Sequence, residues 1–319
     1  IYNFGEFEPD YNYYVTKDGA GDKTGVTWSD AMPFSDMIDM LGKAKSDNNT
    51  LTAINGAVFN IAEGKYVLDD LFAFEYGSDD PIKLTFKGVK GKTSISGNKE
   101  HTIFEIYGNN EGNGGSLEII FEGLGFVESK SEWPAFYCQY SNSTTKFVDC
   151  FVSDNVSTGS EARAGRGVAG IAVVDKANLI LENTRFERNS GYSGPAVYAE
   201  GSVTMTGCTF SENVAAQDGG AVCAVYDVEI KDCTFSGNSA KYGGAIYIQW
   251  QKTTVYGGSF EGNETSGNAG AISVGQYGEL CVYDYQGEST VFSGNSASRY
   301  GGALEIESTA ISRVNNAIF

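Results

Sequence analysis

Carboxylates, guanidinium groups, thiols and a single histidine are the side chains here able to move protons, attack a substrate or hold a cation. Glu118, Glu122, Glu182, Glu229, Glu305 and Glu307 fall at outward strand positions but are spread along the chain, with no close Asp pair beside a base. Glycoside hydrolysis needs two carboxyl groups flanking one bond, and a calcium-dependent lyase needs clustered acidic ligands with a basic partner. Arg163, Arg166, Arg185 and Arg188 gather near Asp154 and Glu187, the composition of a solvated ion-pair face. His101 stands between Glu100 and Thr102 without the neighbours of a triad. No catalytic residue is assigned. Asp18 and Asp22, interleaved with glycines, are candidate Ca²⁺ ligands, although their spacing departs from an EF-hand loop. No other metal or cofactor is expected.

Other groups point to packing or recognition. Cys208 and Cys233 each stand two residues before a phenylalanine and should stack on successive turns of a repeat. They form a candidate disulfide, with buried free thiols as the alternative. Cys223 aligns with outward Tyr247 and is expected to be the exposed cysteine. Tyr198, Tyr247, Tyr256 and Trp250 form the candidate surface for a ligand or partner, since aromatic faces stack on sugars and anchor protein contacts. Asn48, Asn142, Asn155 and Asn263 begin Asn-x-Ser/Thr sequons and are candidate glycan sites in a secreted protein.

The elements that must position these groups come from an internal repeat. Phe-x-x-Asn occurs at Phe186/Asn189, Phe210/Asn213, Phe235/Asn238, Phe260/Asn263 and Phe292/Asn295. Weaker copies begin at Phe126 and Phe151, and Phe319 closes the series, giving intervals of 25, 35, 24, 25, 25, 32 and 27 residues. After each strong copy comes a small-residue turn and an apolar strand, as in Gly219-Gly220-Ala221-Val222 and Gly243-Gly244-Ala245-Ile246. Apolar residues alternate before the phenylalanine (Val203/Met205, Val228/Ile230) and after the glycines (Val222/Ala224, Ile246/Ile248). That is period-2 patterning with one buried face. Two or three short strands per repeat, at a period near 25, predict a right-handed parallel β-helix with one repeat per coil. Its phenylalanines should stack as an interior ladder and its asparagines as a hydrogen-bonded ladder at a bend. The longer intervals predict excursions near 157–167 and 277–289. A helix from Ser35 to Ala44, with Met37, Ile38 and Leu41 on one face, should cap the solenoid. Residues 1–56 are then the cap and first segment, continuous with a β-helix over 57–319.

Composition agrees. Glycine is 41 of 319 residues and proline only 5, against usual shares of about 7% and 5%. This excludes collagen, coiled coil and helical bundle. The net charge of −19 makes nucleic acid an unfavourable partner. No apolar run reaches the length of a membrane helix. The chain opens on Ile1 and stops inside a repeat, so a processed product or a fragment is expected.

The paired GGA[ILV] and FxxN motifs resemble the repeats of chlamydial polymorphic membrane proteins over about residues 120–319. They are similar also to adhesin-like surface proteins of methanogenic archaea, whose coils read like Phe235 to Tyr247 here. The pattern Tyr14-Val15, Asp18-Gly19, Asp22, Gly25, Trp28 looks like the opening coil of secreted pectate-lyase-like β-helices. The resemblance implies an extracellular, cell-surface protein with an adhesive or structural role. Its partners would be glycans or proteins of a host or neighbouring cell, or copies of itself through the solenoid ends. A secreted polysaccharide lyase or glycoside hydrolase on the same fold is the alternative.

Overall fold

A computed structural model describes residues 11–46, 54–76, 81–108, 115–161 and 165–319. Within them the chain winds as a right-handed parallel β-helix, the hand that parallel crossover connections adopt. One coil illustrates the plan, with strands Val203–Thr206, Thr209–Ser211, Val214–Ala215 and Val222–Ala224 separated by tight turns. Each strand pairs in parallel and in register with its equivalent on the next coil. The stacked strands make sheets of twelve, ten, seven and nine strands. The coil thus has four walls rather than two or three, because the short segment after each asparagine builds the seven-stranded sheet.

The expected phenylalanine ladder lies inside the ten-stranded sheet. Phe186, Phe210, Phe235, Phe260, Phe292 and Phe319 stack with centroid separations of 4.8, 4.5, 4.8, 4.9 and 5.1 Å, within 9° of parallel. Earlier coils place their rings on the twelve-stranded sheet, where Phe59, Phe86, Phe121 and Phe147 stack at 5.2, 5.4 and 5.0 Å. Where Phe147 fills the interior, the ladder position across the coil is Val152. Phe151 therefore does not belong to the ladder: Val152 pairs in register with Phe126 and Phe186, and Phe151 faces outward beneath Arg185. Val152 sits with the buried Phe136 and Phe147 in this coil, whereas the coil before it carries rings at both positions, Phe121 and Phe126, 5.1 Å apart.

Between the ten- and seven-stranded sheets runs the asparagine ladder, one member longer than the repeats suggest. It comprises Asn155, Asn189, Asn213, Asn238, Asn263 and Asn295, joined by Nδ2–H···Oδ1 bonds of 2.9, 3.0, 2.9, 2.9 and 2.9 Å. Each Oδ1 also accepts the backbone N–H of the preceding asparagine, and each Nδ2 donates to a ladder carbonyl of an adjacent coil, as Asn238 does to Phe210 O at 3.0 Å. The glycine pairs serve two needs. Gly219 has φ +60, while a Cβ on Gly220 would lie 1.9 Å from the Gly244 carbonyl oxygen of the next coil. Ala269 takes the first position in one coil at φ 62, so the second glycine is the stricter requirement.

The helix spans Phe34–Ser46, one turn longer overall than the expected segment, and starts at Phe34 rather than being capped by Ser35. Met37 and Leu41 are buried, with Ile38 packed against the same core. Strand Asn12–Thr16 pairs with Val58–Ile61, so the twelve-stranded sheet begins within the opening segment.

Replacing Asn238 by Ala would orphan buried partners on both adjacent coils and should cost roughly 2–5 kcal/mol in chemical denaturation. Asn142→Ala, at an exposed turn, should change stability by less than about 0.5 kcal/mol. Equal effects from the two would contradict the ladder.

Candidate ligand-binding face

The outward positions of the nine-stranded sheet carry the densest set of functional side chains. In register from coil to coil stand Glu105, Tyr137, Ala172, Tyr198, Cys223, Tyr247, Ser273 and Glu305. Tyr198 and Cys223 point outward, as the alternation predicts, but each is only 3% exposed, and Tyr247 is half-buried. The exposed surface expected at Tyr198 and Cys223 is corrected by packing: with Tyr137, Val168, Ala172, Val174 and Val225 they form a second small core outside the solenoid. The first excursion helps to build it. A Cβ on Gly165 would lie 2.9 Å from Ala172 Cβ and 3.0 Å from the Tyr137 ring, so that backbone is pressed onto the face. Trp133 meets Tyr137 edge-on at 5.1 Å, and Arg166 lies over the Trp133 ring at 5.8 Å while pairing with Glu132.

Buried phenols need acceptors. Tyr198 donates to Glu200 Oε1 at 2.7 Å, Tyr137 to Gln139 Oε1 at 2.9 Å and Tyr107 to Glu105 Oε2 at 2.9 Å. Burial is the leading cause that pushes the Tyr137 and Tyr198 phenols and the Cys223 thiol upward, so all three are protonated at neutral pH. Asp218, in the wall beside Cys223, is also raised by desolvation, partly offset by Ser193.

Tyr198 and Tyr247 are not joined by the other aromatic candidates. Tyr256 lies around the corner on the twelve-stranded sheet, stacked on Tyr283 at 5.6 Å with Lys231 over its ring at 5.9 Å. Trp250 occupies the turn between the two sheets and is 51% exposed. The preceding coil puts Tyr226 at this turn and the following coil Tyr277, 38% and 71% exposed. Repeat analysis misses both because the turn grows between coils: Ala224 to Val228, Ile248 to Thr253 and Val274 to Leu280 are equivalent spans. Aligning the three turns on their inward residues would have found them. An open depression lined by Ser141, Asp175, Lys176, Glu200 and Tyr226 continues this edge toward the N-terminal coils.

Chemistry elsewhere is dispersed. On the twelve-stranded sheet Glu118 pairs with Lys83 at 2.9 Å, Glu122 with Lys87 at 3.0 Å, Glu182 with Lys146 at 2.7 Å, and Glu229 with Lys231. Glu305 is held by Asn268 and Ser273 at 2.8 and 3.0 Å. Arg188 grips Asp154 through two bonds of 2.7 and 2.9 Å, which holds that carboxyl below its usual range, and Arg185 pairs with Glu187. Arg163 lies outside the described residues. Among the described residues no three His, Cys, Asp or Glu side chains converge as a metal site. In the glycine turn containing Asp18 and Asp22, Asp30 Oδ1 accepts the Asp22 N–H at 3.2 Å.

Cys208 and Cys233 do stack on successive coils, but as free buried thiols, with the Cys208 N–H 3.4 Å from Cys233 Sγ. Of the sequons, Asn155 and Asn263 are buried in the ladder with both amide functions engaged, which removes them as glycan acceptors. Asn142 is exposed, and Asn48 lies outside the described residues.

Family comparison agrees with this geometry. The right-handed β-helix region matches residues 137–286, and the Chlamydia polymorphic membrane protein repeat matches residues 289–307. The chain resembles the polymorphic-membrane-protein type of β-helix protein. No curated protein matches it. Among solved structures, pectate lyase Pel9A is similar at 12% identity and TM-score 0.45, over 96% of this chain and 78% of that one. The catalytic unit of a thermostable GH87 α-1,3-glucanase from Streptomyces thermodiastaticus strain HF3-3 is similar at 13% identity and TM-score 0.32, over 84% and 65%. The repeat match falls on the Phe292/Asn295 coil and its Gly301-Gly302-Ala303 turn. The resemblance thus rests on residues of the ladders and turns.

Two measurements check the burial of this face. In native buffer no cysteine should react with an aromatic disulfide reagent, since all six are buried; in denaturant without reductant all six should react, and two fewer would mean a Cys208–Cys233 bridge. A carboxyl whose folded pKa is raised loses stability as pH climbs from its unfolded value, about 3.9, through the folded one. Asp218→Asn should therefore melt at or above the parent temperature at pH 7, the difference shrinking toward pH 4.

Proposed function

We propose that this chain is an extracellular, cell-surface β-helix protein with an adhesive or structural role, which meets its partners through its outer faces. The observation that carries the reading is the row of solvent-exposed aromatic residues Tyr226, Trp250 and Tyr277, at one turn of three successive coils. The interior needs none of them: the repeated Phe and Asn side chains are consumed by stacking, and Glu118, Glu122, Glu182 and Glu229 by lysines. Exposed large aromatics kept together in this way mark a contact surface. The polymorphic-membrane-protein repeat and a net charge of −19 support a surface location. Among the described residues no helix is long and apolar enough to cross a membrane.

The test is retention without turnover. The purified chain, incubated with immobilised cell-surface extracts and a glycan panel with and without Ca²⁺, should be retained by at least one surface and release no new reducing or unsaturated ends. Steady release of either product would overturn the non-enzymatic reading in favour of a lyase or hydrolase.

A further inference from the structure

The corner between the nine- and twelve-stranded sheets has a composition that points to one class of ligand. Tyr226, Trp250 and Tyr277 are 38%, 51% and 71% exposed. Flanking backbone bonds link their turns from coil to coil, such as Gln249 N–H to Ala224 O at 2.8 Å and Gly275 N–H to Ile248 O at 2.8 Å. Successive coils advance by one strand spacing, about 4.8 Å. That step is close to the length of one pyranose unit in an extended chain. At the N-terminal end of the strip the surface turns polar, with Ser141, Asp175, Lys176 and Glu200 in the same depression as Tyr226. A row of exposed aromatic side chains ending in hydroxyl, carboxylate and ammonium groups suits a molecule with apolar ring faces and hydroxyl edges.

We infer that this corner binds a linear, uncharged oligosaccharide laid along the solenoid axis. Tyr226, Trp250 and Tyr277 stack on the C–H faces of successive sugars, and Asp175 and Glu200 accept sugar hydroxyls. The inference deepens the surface-binding reading and rests on it. Asp175 accepts from Gln139 Nε2 at 2.7 Å and Glu200 from Tyr198, and a wholly apolar peptide face would desolvate these carboxylates and Lys176 while adding no hydrogen bond, an expensive burial. A polyanionic glycan would meet two carboxylates against the single ammonium of Lys176, on a chain of net charge −19, a balance that repels it. Sugar hydroxyls satisfy both ends of the strip: a carboxylate accepts several donors, so Glu200 can keep the Tyr198 hydroxyl bond at 2.7 Å while taking another.

The experiment follows tryptophan fluorescence of the full chain titrated with cellohexaose, laminarihexaose, chitohexaose and mannohexaose, with hexagalacturonate as the charged control. At least one uncharged hexaose should shift the emission saturably, more tightly than its disaccharide, and hexagalacturonate should not. Trp250→Ala should abolish the shift, and calorimetry of that variant and of Tyr277→Ala should show affinity lower by about tenfold or more. Tyr277→Phe should retain binding. All three positions are exposed, so unchanged melting curves confirm folded variants. No response to any uncharged hexaose, or equal affinity in Trp250→Ala, overturns the inference. If the chain still adheres to cell surfaces in that case, the surface-protein reading stands alone. If hexaoses bind at the strip and are cleaved, the strip stands and the non-enzymatic reading falls.

Discussion

A buried asparagine amide must place two N–H bonds and an oxygen among protein partners, because water cannot reach it. In this solenoid the amides answer one another. Each of the inner ladder members gives one N–H to the next amide and the other to a carbonyl of an adjacent coil, and its oxygen takes two donors in return. A slip of one residue in any coil would break several such bonds together and turn that strand's apolar face outward. The ladder therefore fixes the register of the coils it spans, from Asn155 to Asn295. Backbone pairing alone would tolerate alternatives.

Volume is the second constraint, and it explains where the repeat departs from itself. The interior is a narrow column that holds stacked rings at strand spacing. When Phe147 occupies one wall the opposite wall carries Val152, and once the twelve-stranded sheet changes to Leu181 the ring returns at Phe186. The aromatic columns overlap where Phe121 and Phe126 share one coil, 5.1 Å apart, before the rings pass to the ten-stranded sheet. This also explains why Phe151 looks like a ladder member and is not: the residue type is right, but the strand parity sends it outward to Arg185.

Legibility in the sequence followed the same division. The Phe and Asn ladders, the alternation of inward Val222 and Ala224 with outward Cys223, and the helix over the first coil were readable, since each depends on spacing within a repeat. Asn155 could have been added to the ladder from its distance of 34 residues to Asn189, an interval lengthened by the first excursion. The burial of Tyr198 and Cys223 was not readable. Period-2 alternation assigns a side chain to the outer face, but whether that face is wet depends on what packs over it: Val168 in the same cluster, the backbone at Gly165 against Ala172 and Tyr137, and the backbone at Gly194 against Cys223. Tyr226 and Tyr277 were hidden for a related reason. Turn lengths vary between coils, so equal sequence offsets no longer mean equal positions.

By itself the sequence determined the winding: a coil of about 25 residues, its hydrogen-bonded amide column, its stacked rings and the glycines that let coils approach. Stacking of identical units converts a sequence interval directly into a position in space, so those features needed no further information. Only the tertiary structure decided what the outer surface is. It closed Tyr198 and Cys223 into a second core, tied Glu118, Glu122, Glu182 and Glu229 to lysines, and set Tyr226, Trp250 and Tyr277 at one exposed turn of successive coils. Those outcomes depend on contacts between residues of different coils and on turns of unequal length, which a repeat period does not encode.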